Sequence, residues 1–470
     1  MALSSPPPRR LWIAAVAAGL VLARGVEAQR SGPPDVAPPD APARSAVLDT
    51  VLARLDRQYV FEDVAQEMAR AVRIRRRALV EIEAPGAFAD SLTAVLQRVS
   101  GDRHLGVYHD PARYLALTRP PAPAAEEAGE EAADDEETDD ADARDRNYGF
   151  RRVEVLDGNV GYVELTRMES VTEAAGARAV AAMALVAGAE AVVIDLRENP
   201  GGSGRMNQLL SSYFFDGDED RWLVSNVNRS EGTERQEWMQ PYVPGRRMPD
   251  VPLYLLVSPQ TGSAAEGLAY NLQALGRAVV VGEPTYGAAH SGGFVPLLGG
   301  LVMFVPSGRT VNPVTGSNWE GRGVQPDVRV EADRALAAAL ADVWERRLSE
   351  AVPGSPEADR ARWALDFERA QASPVAVDAS LRQAYVGLYE GDRRVEAFGD
   401  ALLYGRAGQQ PHRLIPLADD VFALDRAEPY GPGSYRLVFE RDADGRVTGV
   451  RLQIRHAPTQ VAEFEYARVP

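Results

Sequence analysis

The sequence contains no cysteine, which excludes disulfide bonds, thiolate metal sites and thiol nucleophiles. A chain of 470 residues with 45% hydrophobic residues can instead be stabilised by burial of apolar surface. No paired histidines at HExxH-like spacing occur, so we expect no metal site and no cofactor. Basic residues are outnumbered by acidic ones, and the net charge of −17 argues against a nucleic-acid partner.

Long apolar runs are also scarce. The most apolar run, residues 11–23, follows an arginine pair and precedes small residues at Val26 and Ala28 that offer a cleavage site. This layout is typical of a secretory signal peptide, and the run is short for a membrane span. We predict that residues 1–28 are a signal peptide and that the protein is exported to the periplasm or the extracellular space. It would have no stable membrane span after cleavage and would stay tethered only if the signal is not cleaved.

Composition changes along the first third of the chain. Residues 45–112 carry apolar residues at helical spacing, for example Val51, Leu55 and Tyr59, which predicts an N-terminal bundle of three helices. Residues 113–147 are rich in proline and acid, with eleven acids and no base between Glu126 and Asp142. Such a segment is typical of a disordered insertion.

Residues 148–332 have a different pattern, in which apolar strands alternate with a helical pattern. "RRVEVLDGNVGYVEL" predicts a hairpin around Asp157 and Gly158, and "AVVIDL", "PLYLLV", "AVVVG" and "LVMFVP" are typical of buried strands. We therefore predict an α/β core. Residues 333–375 form a helical linker, and the short alternating strands of residues 382–470 predict a small antiparallel, barrel-like β domain.

"TGSAAEG" has two interpretations. Ser263 and Glu266 have the spacing of a capping box, which predicts a helix that begins at the serine and requires no chemistry. Ser263 also follows a buried strand and opens a helix. In that position its hydroxyl is exposed at the edge of the sheet, and the N–H of Ala264 is free to stabilise an oxyanion.

"DLRENPGG" follows another buried strand. Its glycine pair, Gly201 and Gly202, allows main-chain N–H groups to point at a developing negative charge, as an oxyanion hole requires. The alternative is a tight strand-to-helix turn. It is not a phosphate loop, because the Walker lysine is missing.

A nucleophilic serine needs a base, and the chain has five histidines. His412 and His456 fall in the terminal β domain, His104 and His109 close the helical bundle, and His290 lies in a glycine-rich loop. Glu320, between Trp319 and a glycine-rich turn, is either a partly buried carboxylate that orients an imidazole or a surface acid. Taken singly, each of these residues is more often structural.

Four stretches occur in the order "GDRHL", "VVIDLRENPGG", "SPQTGSAAEGLAYNLQALGRAVVVGEPTYG" and "NPVTGSNWEGRGVQPD". In this order they resemble the C-terminal processing (tail-specific) serine peptidase family, from about Ser45 to Val330. The resemblance implies a crotonase/ClpP-like α/β core, hydrolysis of peptide bonds and Ser263 as nucleophile.

Many members of that family use a lysine in the glycine-rich loop, where this chain has Ala288. No stretch of the chain corresponds to an inserted PDZ domain. The sequence is more similar to the branch of the tricorn core and the interphotoreceptor retinoid-binding protein repeats. That similarity implies His104 as base and Glu320 as its orienter, with Arg103 where the branch has a serine.

The predicted function is that of an exported serine-type peptidase acting on peptide or protein substrates through an acyl-enzyme. Ser263, His104 and Glu320 are the predicted catalytic residues, Ala264 and Gly201 or Gly202 the oxyanion donors, and His290 the substitute base. One alternative is a secreted binding module for retinoid- or lipid-like hydrophobic ligands with a relic site. Another is an exported scaffold whose C-terminal β domain binds the partner.

Overall fold

The structure is a computed structural model, and it describes residues 36–119, 140–425, 431, 433–457 and 460–470. The predicted signal peptide lies outside the described residues, as does most of the acidic stretch. The helices are α1 (Ala41–Gln58), α2 (Glu62–Val80), α3 (Pro85–Ser100), α4 (Pro111–Thr118), α5 (Asp140–Asp145), α6 (Glu173–Val186), α7 (Gly204–Ser212), α8 (Ser263–Ala274), α9 (Ala335–Glu350), α10 (Pro356–Ala372) and α11 (Ala379–Tyr385).

The strands of the same residues follow in chain order. They are β1 (Gly106–His109), β2 (Phe150–Leu156), β3 (Val160–Leu165), β4 (Ala191–Asp195), β5 (Trp222–Asn228), β6 (Thr233–Trp238), β7 (Leu253–Val257), β8 (Val279–Gly282), β9 (Gly292–Pro296), β10 (Leu301–Pro306), β11 (Gly308–Val311), β12 (Val328–Arg329), β13 (Gly387–Tyr389), β14 (Arg393–Phe398), β15 (Ala401–Arg406), β16 (His412–Ala418), β17 (Val421–Leu424), β18 (Tyr435–Arg441), β19 (Val447–Ala457) and β20 (Gln460–Ala467).

The central sheet has the strand order β12-β8-β7-β4-β3-β2. Its neighbours are parallel except for β2 and β3, which form the hairpin predicted around Asp157 and Gly158. Helices α6, α7 and α8 cover one face, and α9 covers the other. Every residue of β4 and β7 is buried, which explains their uninterrupted apolar sequences.

The "LVMFVP" strand, β10, is largely buried, as its apolar sequence predicts, but it does not belong to the central sheet. It pairs antiparallel with β1 and β9 in a separate three-stranded sheet that packs on α1, α2 and α3. A parallel partner requires a long crossover, whereas the link between β9 and β10 is a short turn. Because α1, α2 and α3 cover one face of the small sheet, β10 is largely buried, and its sequence is as apolar as that of a strand in the central sheet.

The ends of the predicted disordered insertion, residues 113–147, are helical in α4 and α5. Helix α4 begins with standard signals, because Asp110 accepts a hydrogen bond from the Arg113 amide and Pro111 occupies the first turn. These local signals outweigh the composition of the surrounding segment. The middle of the insertion lies outside the described residues.

The C-terminal part begins with the paired helices α9 and α10, and α10 also packs on β16. Strands β13 to β20 form an antiparallel meander in sequence order. Main-chain hydrogen bonds from Glu390 to Ala467 and from Val469 to Leu388 join the last strand to the first. The prediction of a mixed α/β chain with a C-terminal antiparallel β domain is therefore confirmed.

Within the described residues, none of the helices combines the length and the apolar character that crossing a bilayer requires.

Helix α10 carries a buried carboxyl group, that of Glu368, near Asp157. Glu368 is only 6% exposed. Burial, with a smaller contribution from the negative charge of Asp157, raises the pKa of Glu368 to about 8. Asp157 itself lies in the β2–β3 turn and pairs with Arg360 of α10 at 2.5 Å. Glu368 is therefore protonated in the folded protein at neutral pH.

We expect Glu368→Gln to stabilise the protein at pH 8 but not at pH 4.5. The folded-state pKa of Glu368 is raised above the unfolded value, so stability falls as pH rises from about 4.5 to about 8. The loss is at most about 5 kcal/mol. Urea unfolding of the natural protein and of Glu368→Gln, between about pH 4.5 and about pH 8, measures this loss of stability. Glu345→Gln, at an exposed position of α9, is the control. Stability curves that stay parallel for the natural protein and Glu368→Gln would contradict the prediction.

Candidate active site

Ser263 begins α8 directly after the turn that follows β7. Its φ of 49° lies in the left-handed region, which is strained for a residue other than glycine. The capping-box prediction is half right: Glu266 Oε2 accepts from the Ser263 amide at 2.8 Å, but Gly262 is the N-cap and no side chain caps the helix. A capping serine adopts an extended backbone, which Ser263 does not. Among the described residues its hydroxyl has no hydrogen-bond partner.

The glycine pair lies against Ser263. A Cβ atom on Gly201, whose φ is 109°, would lie 2.7 Å from Ser263 Cβ and 3.0 Å from the Ala264 nitrogen. Only glycine fits at that distance. The two turns are also hydrogen-bonded, because the Gly262 amide donates to the Asn199 carbonyl at 3.0 Å.

The three predicted oxyanion donors differ in their availability. The Gly201 amide already donates to Asn199 Oδ1 at 2.9 Å. In the part of the chain that the structure describes, the Gly202 and Ala264 amides donate to no protein acceptor. Of the three predicted donors, the Gly202 and Ala264 amides are therefore the two whose N–H groups no acceptor of the described residues occupies.

Glu266 is fully buried below Ser263 and binds the neighbouring loop. Besides the Ser263 amide, its carboxylate accepts from Thr285 Oγ1 at 2.5 Å, the Gly287 amide at 2.6 Å and the Ala288 amide at 3.0 Å. Burial raises the pKa of Glu266, and these donors counteract the shift. The loop is thus fixed partly through its main chain at Ala288, the position where the peptidase family that the motifs resemble often has a lysine. The 470 residues contain no lysine at all, so a lysine of this chain cannot serve as base.

Asp102 is a second buried carboxylate with several donors. Oδ1 accepts from the His104 amide at 3.0 Å and the Leu105 amide at 3.2 Å. Oδ2 accepts from the Tyr59 hydroxyl at 3.2 Å and lies 2.7 Å from His290 Nδ1. Asp102 therefore both shapes the turn that presents His104 and orients the His290 ring.

Glu320 is the third carboxylate of the cluster. It accepts from the Arg103 amide at 3.3 Å, the Ala289 amide at 2.6 Å and the His290 amide at 3.1 Å. Burial raises the pKa of Glu320, and the negative charge of Asp102 adds to the shift. Glu320 thus holds the main chain on both sides of the histidine pair, and its hydrogen bonds are to amides and not to the His104 ring.

The two candidate bases lie in different environments. Burial lowers the pKa of His104, which favours the neutral imidazole, while the charge of Asp102 opposes this shift. His104 Nδ1 is buried and has no hydrogen-bond partner among the described residues. His290 is held by Asp102 and contacts the Phe61 ring. Neither imidazole is hydrogen-bonded to Ser263 in the described part of the chain.

The remaining histidines are not part of this cluster: His109 ends β1, His412 lies in β16 and His456 in β19.

The ligand atoms of Asp102, His290 and Glu320 lie within 4.8 Å of one another, the spacing of a metal site. Each carboxylate already accepts two or more hydrogen bonds from the protein. The hydrogen bonds account for the closeness of these groups without a cation.

The sequence did not reveal the roles of Asp102, Thr285 and Tyr59. Asp102 had a local signal, because an aspartate two residues before His104 can accept from the following amides. Its contact with His290 spans 188 positions and has no sequence signal. Thr285 has a similar role, because its hydroxyl joins Glu266 to the Val324 amide.

Residues 159–330 match the family model described as peptidase family S41. Carboxyl-terminal-processing peptidase 3, chloroplastic, of Arabidopsis thaliana is 31% identical over 169 residues, which cover 36% of this chain and 31% of that protein. A carboxyl-terminal-processing protease of Picosynechococcus sp. is 33% identical over 140 residues, covering 30% and 32%. The chain thus spans about a third of the length of these curated relatives. The resemblance inferred from the motifs is confirmed.

Among solved structures, the photosystem II D1 C-terminal processing protease aligns with 62% of this chain and 93% of its own. The TM-score is 0.39 and the sequence identity 20%.

We expect Asp102→Asn to destabilise the protein by about 3 kcal/mol, because an amide cannot accept from both Tyr59 and His290 in place of a buried carboxylate. Urea unfolding at pH 7 measures the change. Asp49→Asn removes an exposed carboxylate paired with Arg76 and should change stability little. Equal effects of the two substitutions would show that the buried contacts of Asp102 contribute nothing.

Proposed function

We propose that this chain, whose residues 159–330 match peptidase family S41, is an exported serine peptidase that hydrolyses peptide bonds through an acyl-enzyme. In this proposal residues 148–332 form a crotonase/ClpP-like catalytic core, and residues 382–470 form an accessory β domain. The observation that carries the proposal is the state of Ser263: a left-handed residue at a helix start, with a hydroxyl that caps nothing.

In the proposed reaction the Ser263 hydroxyl attacks the peptide carbonyl carbon, and His104 accepts the hydroxyl proton. The tetrahedral oxyanion accepts hydrogen bonds from the Gly202 and Ala264 amides, and removal of one such donor typically costs about 3 kcal/mol of barrier. His104 then protonates the leaving amine. Water attacks the resulting ester with His104 again acting as base, which releases the acyl group and restores Ser263.

The surroundings of His104 suit this role. Burial lowers its pKa, so the imidazole is neutral and able to accept a proton at pH 7. The nearby Asp102 carboxylate stabilises the imidazolium that forms during the reaction. Asp102 and Glu320 act as positioning residues, because their hydrogen bonds fix the main chain from Arg103 to Leu105.

Peptides or proteins are the proposed substrates, as the names of the relatives indicate for those proteins. Export follows from the predicted signal peptide at residues 1–28.

We expect a fluorophosphonate probe to label the natural protein at Ser263 and to leave Ser263→Ala unlabelled. The control is Ser203→Ala. Ser203 stands directly before helix α7, and its hydroxyl caps that helix by accepting from the Arg205 amide. Ser203→Ala should therefore lose about 1 kcal/mol of stability and should still be labelled at Ser263. Mass spectrometry of the labelled peptides measures the outcome. A folded natural protein that takes up no probe would refute the peptidase proposal.

We expect the second-order rate constant of this labelling to fall on acidification with a midpoint below pH 6.5, because burial lowers the pKa of His104. His104→Gln should remove this acidic limb and slow labelling by about 10² to 10⁴-fold. His290→Gln, which changes the residue that faces both Asp102 and His104, should retain the limb. Loss of the limb in His290→Gln and its retention in His104→Gln would assign the base to His290 instead.

A further inference from the structure

The two faces of the small sheet β1–β10–β9 differ in what covers them. On one face Val107, Leu301 and Met303 pack into the core shared with α1, α2 and α3. Strand alternation places their neighbours on the other face, where Gly106 pairs with Phe304 and Phe304 pairs with Phe294. The second face therefore carries aromatic side chains, and α4 lies against part of it, with the Arg113 guanidinium 3.9 Å from the centre of the Phe294 ring.

The rings on this second face form a series that starts at the proposed base. The His104 ring lies 5.6 Å from the Phe304 ring, and Phe304 lies 5.1 Å from Phe294 in an edge-to-face arrangement. Phe294 in turn lies 6.0 Å from Tyr108. We call these four rings the aromatic series. It connects the candidate active site to the outer edge of the sheet.

Gly106 leaves the space that this arrangement needs. A Cβ atom at Gly106 would lie 2.5 Å from the Tyr108 hydroxyl, so the Tyr108 ring folds back over the glycine. Tyr108 is nevertheless 42% exposed, although it is large and mostly apolar. The exposed ring borders a cavity of about 510 Å³, which is also lined by Phe294, Val302, His109 and the start of α4 with Asp110 and Arg113.

Tyr286 links the Tyr108 end of the aromatic series to the turn that carries Ser263. The Tyr286 amide donates to the Thr261 carbonyl at 3.0 Å, two residues before Ser263. The Arg103 guanidinium stacks on the Tyr286 ring at 5.2 Å. Tyr286 is 44% exposed, and its hydroxyl is close enough to Tyr108 to raise the pKa of Tyr108, in addition to the effect of burial.

We propose that the cavity bordered by Tyr108, Phe294 and the start of α4 is the subsite for a large apolar side chain of the substrate, so that the chain prefers peptides with an aromatic residue near the scissile bond. This inference rests on the proposed peptidase function. A volume of about 510 Å³ is within the usual range of ligand pockets and accommodates a phenylalanine or tryptophan side chain. The Tyr108 and Phe294 rings favour such an occupant through edge-to-face and stacking contacts. The cation that also lines the cavity, Arg113, already pairs with Asp110 at 3.7 Å, and the Asp110 carboxylate disfavours a second carboxylate there.

The test measures binding separately from catalysis. Fluorescent peptides of one sequence, which carry Phe, Ala or Asp at a single scanned position, are titrated by polarisation against the full chain with Ser263→Ala. At one position the Phe peptide should bind at least about tenfold more tightly than the Ala peptide. Equal binding of Phe and Ala peptides at every position would overturn the inference.

Two substitutions in the Ser263→Ala chain locate the preference. Phe294→Ala should abolish it, whereas Phe398→Ala, at a 73% exposed phenylalanine of β14, should leave it unchanged. Tyr108→Arg alters an exposed side chain and should shift the preference to the Asp peptide, a gain that misfolding cannot produce. A Phe preference that persists in both Phe294→Ala and Tyr108→Arg would place the subsite elsewhere and overturn the inference.

The fluorophosphonate result separates the two proposals. Labelled Ser263 without a Phe preference leaves the peptidase function and removes the subsite. A Phe preference that depends on Phe294, together with an unlabelled Ser263, leaves an aromatic-binding cleft in a protein that is not a serine peptidase.

Discussion

Two buried carboxylates, Asp102 and Glu266, and the partly buried carboxylate of Glu320 hold the candidate active site together. Glu266 joins the start of α8 to the loop that ends at His290, Glu320 joins that loop to the turn at Arg103, and Asp102 joins the same turn to the His290 ring. Some of these contacts span 188 to 217 positions of the sequence. Burial of three negative charges is costly unless each is well hydrogen-bonded. Here main-chain amides supply most of the donors, so the carboxylates fix the backbone itself.

The same carboxylates balance the electrostatics of the proposed base. Burial lowers the pKa of His104 and so favours its neutral form, and the adjacent charge of Asp102 opposes this shift. Asp102 also raises the pKa of Glu320, since two carboxylates at this distance repel each other. The amides of Arg103, Ala289 and His290 limit that repulsion.

Sequence reasoning succeeded where the signal was local and periodic. The β2–β3 hairpin, the apolar strands of the central sheet and the terminal antiparallel strands follow from alternation, run length and turn residues. It identified β10 as a buried strand but not the sheet that β10 joins, because apolar content does not show which strands are its partners. At Ser263 it identified the capping-box glutamate but not the left-handed backbone that frees the hydroxyl. The Asp102–His290 contact depends on tertiary structure alone, and no spacing rule predicts it.

The hydrogen bonds between Glu266 and the loop make no demand on the side chain at position 288. The Glu266 carboxylate accepts from the main-chain amides of Gly287 and Ala288, and every residue except proline has such an amide. Ala288 is only 1% exposed, so packing, and not these hydrogen bonds, limits the size of its side chain. Two independent constraints therefore act on one residue: its amide places the loop, and the space around its methyl group limits what that position can carry.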